Sequence, residues 1–114
     1  MNIELIRDYV IQKPAVTEGF PFGDSTIVFK TNEKVFLLVS LESDPLQFNV
    51  KCDPEKAIEL REEYPGTVLP GYHMNKKHWN TIIVDGVLSK KQIFEMIDHS
   101  YTLVNGSGKK AKRS

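Results

Sequence analysis

The sequence has almost no cysteine and no long apolar run, and these two absences limit the classes of protein it can belong to. Its 114 residues include one cysteine, Cys52, so no internal disulfide can form. A disulfide-stapled secreted domain is excluded, and a reducing compartment is expected. No apolar stretch approaches the ~18 residues of a membrane span, and no basic and apolar leader opens the chain. We expect a cytoplasmic protein that does not enter a membrane.

An excess of charge of either sign is also absent, because 15 basic residues balance 15 acidic ones. The distribution is uneven, since four bases lie in the last six positions. The chain up to Gly108 therefore holds 11 basic and 15 acidic residues, a formal charge of −4. A body of that sign does not attract a polyanion through its overall field. Any nucleic-acid contact must come from a local patch or from the tail bases Lys109, Lys110, Lys112 and Arg113.

Signatures of catalysis are missing as well. None of the seven glycines forms a phosphate-binding cluster before a helix. His99 and Ser100 are neighbours on a predicted helix and face different ways, so they do not form a catalytic pair. Cys52 precedes a helix start, but Asp53 opposes a thiolate there, and alternation with Val50 points the sulfur into the core. We predict an unreactive thiol and a protein that is not an enzyme.

Hydrophobic periodicity predicts an α+β domain in which an antiparallel sheet packs against helices. Helical spacing begins after Asn2 and after Asp53, both good N-caps, and after a capping box of Ser89 and Gln92. Tyr101 continues the apolar stripe of the last helix. We expect its hydroxyl to hold the long loop at residues 65–79 by a hydrogen bond. Four apolar or alternating segments are predicted strands: residues 27–29, 35–41, 46–52 and 81–84. We assign residues 1–105 to one domain and 106–114 to a disordered basic tail.

The segment 65–79 has no clear period and is long for a connection in a compact domain. Its part at 70–79, PGYHMNKKHW, contains two of the three histidines, the only tryptophan and two adjacent lysines. One hypothesis is a nucleic-acid contact surface, in which lysines neutralise phosphates and a ring stacks on an unpaired base. The alternative is that Tyr72 and Trp79 are core anchors beside solvated lysines. The candidate contact residues are Tyr72, His73, Asn75, Lys76, Lys77, His78 and Trp79.

A metal site formed by the two histidines of this loop and Cys52 is a further possibility. His78 follows His73 by five positions, which places the side chains ~140° apart on a helix and on opposite faces of a strand. Iron chemistry needs clustered carboxylates, and the first helix offers only Glu4 and Asp8. We therefore expect neither a metal nor another cofactor.

Five motifs, in this order, resemble the MmcQ/YjbR-like family of small bacterial proteins, and the resemblance extends to about Asn105. They are PFG at 21–23, KCDPE at 51–55, LREEYPG at 60–66, PGYHMNKKHWNT at 70–81 and HSYTLV at 99–104. The longest run is the most specific. The resemblance implies a frataxin-like (CyaY-like) α+β fold and a "double wing" mode of DNA binding.

Together these observations predict a binding protein that contacts DNA weakly through residues 70–79 and nearby bases. Two or three phosphate contacts would give a salt slope of about −2 to −3, and the tail would add electrostatic attraction. The alternative is a module that binds a protein or a small ligand, with the same loop forming the wall of a pocket.

Overall fold

The computed structural model describes residues 1–71 and 74–105, which form a six-stranded antiparallel sheet and three helices. The α+β architecture predicted from the sequence is confirmed. The strand order is β1-β2-β3-β4-β6-β5. The strands are β1 (Val16–Gly19), β2 (Thr26–Thr31), β3 (Lys34–Ser40), β4 (Gln47–Lys51), β5 (Val68–Pro70) and β6 (Trp79–Ile83). The predicted tail at 106–114 lies outside the described residues.

The helices begin where the sequence predicts them. They are α1 (Ile3–Val10), α2 (Pro54–Glu63) and α3 (Lys90–Asn105). The side chains of Asn2 and Asp53 accept hydrogen bonds from backbone N–H groups three residues on, at 2.9 and 3.3 Å. Ser89 and Gln92 form the predicted capping box, bonded in both directions. Such caps stabilise a helix by about 1 kcal/mol each. In the described part of the chain, no helix is long and apolar enough to cross a membrane.

Two strands were not predicted from the sequence. The four-residue β1 pairs with β2, and the three-residue β5 pairs with β6, so both are edges of the sheet. The segment 65–79 is therefore not irregular throughout, because β5 occupies part of it. Short edge strands are common in natural sheets, and three or four residues are too few to show a period of two.

The three helices pack on one face of the sheet, the inner face, and enclose a single core. Phe29, Phe48 and Ile82 from the strands meet Ile6 and Ile97 from the helices, and all five are fully buried. Since side chains alternate along a strand, the residues between these core positions lie on the opposite face, here named the open face. They include Thr26, Val28, Lys30, Leu38, Ser40, Gln47, Asn49, Lys51, Trp79 and Thr81.

Two residues of α3 fix that helix to the rest of the fold. The buried Ser100 hydroxyl donates to the carbonyl of Phe36 at 2.5 Å and accepts the backbone N–H of Lys51 at 2.8 Å. The Tyr101 hydroxyl donates to the carbonyl of Pro14 at 2.7 Å. The predicted bond from Tyr101 to the long loop is therefore wrong. The ring packs edge-on against Phe36, which aims the hydroxyl at the turn after α1.

Candidate nucleic-acid interface

The loop between β5 and β6 is held by its own backbone hydrogen bonds. The N–H groups of His78 and Trp79 both donate to the carbonyl of Asn75 at 3.0 Å. The side-chain oxygen of Asn75 accepts the N–H of Lys77, also at 3.0 Å. Gly71 donates to the carbonyl of Trp79 at 2.9 Å, which closes the base of the loop. These bonds make residues 74–79 a defined turn.

Arg61 on α2 clamps this turn from the inner side of the sheet. Its Nε donates to Oδ1 of the buried Asn80 at 2.7 Å, and its terminal nitrogen donates to the carbonyls of Lys76 and, at 3.4 Å, Trp79. Sequence reasoning missed this role, because the partners lie 15 to 19 residues away along the chain. An arginine in a helix of mostly charged residues gives no signal of such a contact.

The candidate residues differ in their solvent exposure. Asn75, Lys76 and Lys77 are exposed, whereas His78 and Trp79 are partly exposed. Tyr72 and His73 lie outside the described residues. Trp79 pairs with Lys51 and lies two residues from Thr81 on β6, so its side chain is on the open face rather than in the core.

Trp79 is the cross-strand partner of Lys51 on β4. Directly opposite side chains in an antiparallel pair stand about 4.5–5.5 Å apart at their Cβ atoms. Lys77 precedes Trp79 by two residues. The fold thus brings Lys51, a lysine of another strand that sequence reasoning did not select, beside the predicted loop.

The charges of the strands are divided between the two faces of the sheet. Among the six described strands, Glu18 is the one carboxylate, and it pairs opposite the core residue Phe29. It therefore points to the helical side, where Arg7 of α1 binds both carboxylate oxygens at 2.7 Å. The hydrogen bonds from Arg7 lower the pKa of Glu18. Lys30 and Lys51 project from the open face, so this face carries positive charge although the domain as a whole does not.

Two hollows lie side by side on the open face. The larger has a volume of about 510 Å³ and is lined by Phe22, Asn49, Met74 and Thr81, among others. Met74, a residue of the loop, is among the residues that line it. The smaller, of about 370 Å³, lies toward β1 and has Phe20, Val28 and Lys30 in its lining.

Cys52 lies away from this surface, in a small cavity between α2 and α3. It is 4% exposed, so the predicted packed thiol is confirmed. Burial raises the pKa of the Cys52 thiol, an effect that the nearby Lys56 partly offsets. His99 lines the same cavity and accepts the N–H of Asp53 at 3.2 Å. Within residues 1–71 and 74–105, no three His, Cys, Asp or Glu side chains converge as a metal site would require.

Comparison with known protein families gives a match over most of the sequence. The model of the YjbR family matches residues 11–103, which is most of the chain. The sequence is 36% identical over 102 residues to the uncharacterised protein YbdF of Escherichia coli O157:H7, covering 89% of this chain and 82% of that protein. It is 30% identical over 101 residues to the uncharacterised protein YjbR of E. coli K12, covering 89% and 85%.

Solved structures show the same fold. A crystal structure of a Deinococcus radiodurans protein with a DUF419 domain superposes with a TM-score of 0.89 at 36% identity, covering 96% of this chain and 82% of that one. A crystal structure of a Pseudomonas syringae protein superposes with a TM-score of 0.76 at 30% identity, covering 91% and 99%. These likenesses establish relatedness and fold.

Proposed function

This chain belongs to the YjbR family, and from that membership together with the geometry of the open face we propose that it is a non-enzymatic cytoplasmic protein that binds DNA weakly. The contact surface consists of the turn at residues 74–79 and the neighbouring lysines of the open face. The sequence resemblance implies a frataxin-like fold and a "double wing" mode of DNA binding. In this proposal, DNA binds to one face of the sheet and to the loop beside it.

The observation that carries the proposal is the pairing of Lys51 with Trp79 on a face whose strands contribute no carboxylate. A lysine neutralises a phosphate, and an indole offers a stacking surface. The exposed Lys77 adds a second positive charge to the same edge. The acidic helices α1 and α2 pack on the inner face, so their charges lie on the other side of the sheet from a bound polyanion.

Few phosphate contacts mean low affinity and a shallow salt dependence. For Lys30, Lys51 and Lys77 the slope of log K against log salt is about −2 on single strands and about −3 on duplex. The four tail bases add to this slope without defining a site, so the test must separate the two contributions.

The test is a fluorescence-anisotropy titration of labelled DNA at about 50 and 200 mM salt. The surface variant is Lys51→Gln with Lys77→Gln, and its control is Lys90→Gln with Lys91→Gln on α3, which removes the same charge from the helical side. A further variant replaces the four tail bases with glutamine. The proposal expects binding to fall in the surface variant but not in its control, and to weaken without being lost when the tail is neutralised. Binding that vanishes with the tail charges and ignores Lys51 and Lys77 would contradict it.

A second candidate function is the binding of a small ligand in the larger hollow. The observation that favours it is the position of Met74, a loop residue, in the wall of that hollow. A volume of about 510 Å³ lies within the roughly 300–1,000 Å³ of small-molecule sites. Saturable stabilisation of the protein by a small compound, with no binding of DNA, would favour this candidate.

A further inference from the structure

We propose that the open face binds single-stranded DNA in preference to duplex, by taking an unpaired base into the hollow between Phe22 and Met74. This inference rests on the proposed function and specifies the form of DNA and the place where a base is read. Four features of the hollow carry it: an exposed aromatic wall, a neutral hydrogen-bonding floor, a suitable volume and lysines on the same face.

The aromatic wall is formed by a phenylalanine that the fold leaves in water. Phe22 is 70% exposed, the largest exposure among the large hydrophobic side chains of the described residues, and it lines the larger hollow. A phenyl ring gains by stacking on a nucleobase, since every base offers a π-face. Phe20, at 50% exposure, lines the neighbouring hollow, so one short segment presents two rings along the same face.

The floor of the larger hollow is uncharged and combines hydrogen-bonding side chains with the apolar Leu38. Gln47 and Asn49 are two residues apart on β4, which places their amides about 7 Å apart on one face. The Thr81 hydroxyl donates to Oδ1 of Asn49 at 2.5 Å, which leaves Nδ2 of this amide as a donor. Within the described residues, Asn49 Nδ2 and the Gln47 amide have no hydrogen-bond partner. Amides in this arrangement can pair with the edge of a base, as they do in sequence readout.

The size of the hollow suits a single flat group. Its volume of about 510 Å³ is enough for one base between two walls, here Phe22 on one side and the flexible thioether of Met74 on the other. In a duplex, bases are stacked and paired, so neither their faces nor their pairing edges reach such a pocket. The aromatic wall and the hydrogen-bonding floor can therefore contact only an unpaired base.

The charged residues around this face predict the direction in which the DNA backbone runs from the hollow. Lys30 and Lys51 stand toward the end of the sheet where Trp79 lies, and Lys77 extends that end. Asp24, Glu42 and Asp44 occur in the connections at the opposite end, next to Thr26 and Ser40. A strand is thus expected to leave the hollow toward the lysines, and Asp24 should oppose binding.

The experiment compares thymidine and adenosine single strands, a duplex of the same length and the free mononucleotides, using the full chain and fluorescence anisotropy with competition. Single strands should bind at least about tenfold more tightly than duplex. Phe22→Ala should lower single-strand affinity roughly 5- to 100-fold, and Phe22→Tyr should restore it, because the ring supplies the stacking.

Matched variants make the result specific. Ile58→Ala removes an exposed apolar side chain from α2 and should leave binding unchanged. Gln47→Glu, which keeps the shape of the side chain and adds a negative charge, should weaken single-strand binding, whereas Asp24→Asn should strengthen it. Unchanged thermal melting curves would show that each variant is folded.

The other outcomes distinguish a failure of this inference from a failure of the proposed function. Equal binding of duplex and single strand, insensitive to Phe22→Ala, would overturn this inference and leave the proposed DNA-binding function intact. A mononucleotide that binds as tightly as a strand would also overturn it, in favour of a small-ligand site. If no form of DNA binds, this inference and the proposed function both fail.

Discussion

The backbone of Gly71 lies directly against Trp79. The two residues share a hydrogen bond of 2.9 Å, from Gly71 N to the carbonyl of Trp79. A Cβ atom on Gly71 would stand 2.9 Å from the Cβ of Trp79 and 3.1 Å from its carbonyl oxygen, closer than ordinary contacts allow. Glycine at this position therefore sets how closely the chain entering the loop approaches the chain leaving it, and with it the position of Trp79 on the open face.

Replacing Gly71 with alanine is expected to destabilise the protein. The added methyl group meets backbone atoms that cannot rotate away, so the cost should be about 1–3 kcal/mol in the free energy of unfolding. Urea denaturation measures it. Gly19→Ala is the control, since a Cβ on Gly19 would have no atom within 4 Å. Equal stability of the two variants would show that the contact with Trp79 is not tight.

Removing the donors of Arg61 should loosen the turn at residues 74–79. Arg61→Met keeps the length of the side chain but leaves the buried Asn80 and two carbonyls without their charged partner, a loss of about 2 kcal/mol in unfolding free energy. Amide exchange of Lys77 and Trp79 should also become faster. Arg7→Met is the control, because its ion pair with Glu18 is on the surface and should matter less. Equal losses of unfolding free energy in the two variants would argue against a stabilising role for the hydrogen bonds of Arg61.

The hydroxyl of Tyr101 contributes a tertiary hydrogen bond to Pro14. Tyr101→Phe keeps the ring and its edge-on contact with Phe36, so the change isolates that bond and should cost about 1 kcal/mol. Chemical denaturation gives the value. A change of the exposed neighbour, Thr102→Ala, should stay within about 0.5 kcal/mol. An unchanged midpoint for Tyr101→Phe would indicate that water replaces the bond without loss.

The stability of the fold should depend on pH through His99. Burial first, and then the charge of Lys56, lower the pKa of His99 below its ordinary value of 6.5, although Asp53 opposes them. The unfolded chain therefore binds a proton more readily, so the stabilisation is complete above pH 6.5 and is lost as the pH falls through the lowered pKa. Protonated Nε2 also cannot accept the N–H of Asp53. His99→Gln, measured by denaturation from about pH 7 to 5, should show a smaller fall in stability than the parent. Parallel curves would contradict this.

The predictions from sequence succeeded where the signal is local. Asn2, Asp53 and Ser89 cap their helices as predicted, because an N-cap contacts N–H groups only two or three residues away. The central strands were found because their apolar residues are numerous enough to show a period. The edge strands β1 and β5 were missed because they are three or four residues long.

The parts of the candidate surface that depend on tertiary contacts were not predicted. Lys51 pairs with Trp79 only because β4 and β6 are neighbours in the sheet although α2 and β5 separate them along the chain. The same holds for Phe22 and Met74, which line one hollow from distant segments. The loop motif points to one part of the candidate surface, and the order of the strands adds the residues of β2, β4 and β6.

The central claim is that nucleic acid lies on the open face, and chemical-shift mapping of backbone amides tests it most directly. In a titration of the full, isotope-labelled chain with a short single strand, the account predicts the largest shifts at Asn49, Lys51, Lys77 and Thr81 and around Phe22. Amides of the exposed side of α3, such as Lys91, should not move. Shifts confined to the helices or to the tail, or none at all, would contradict the account.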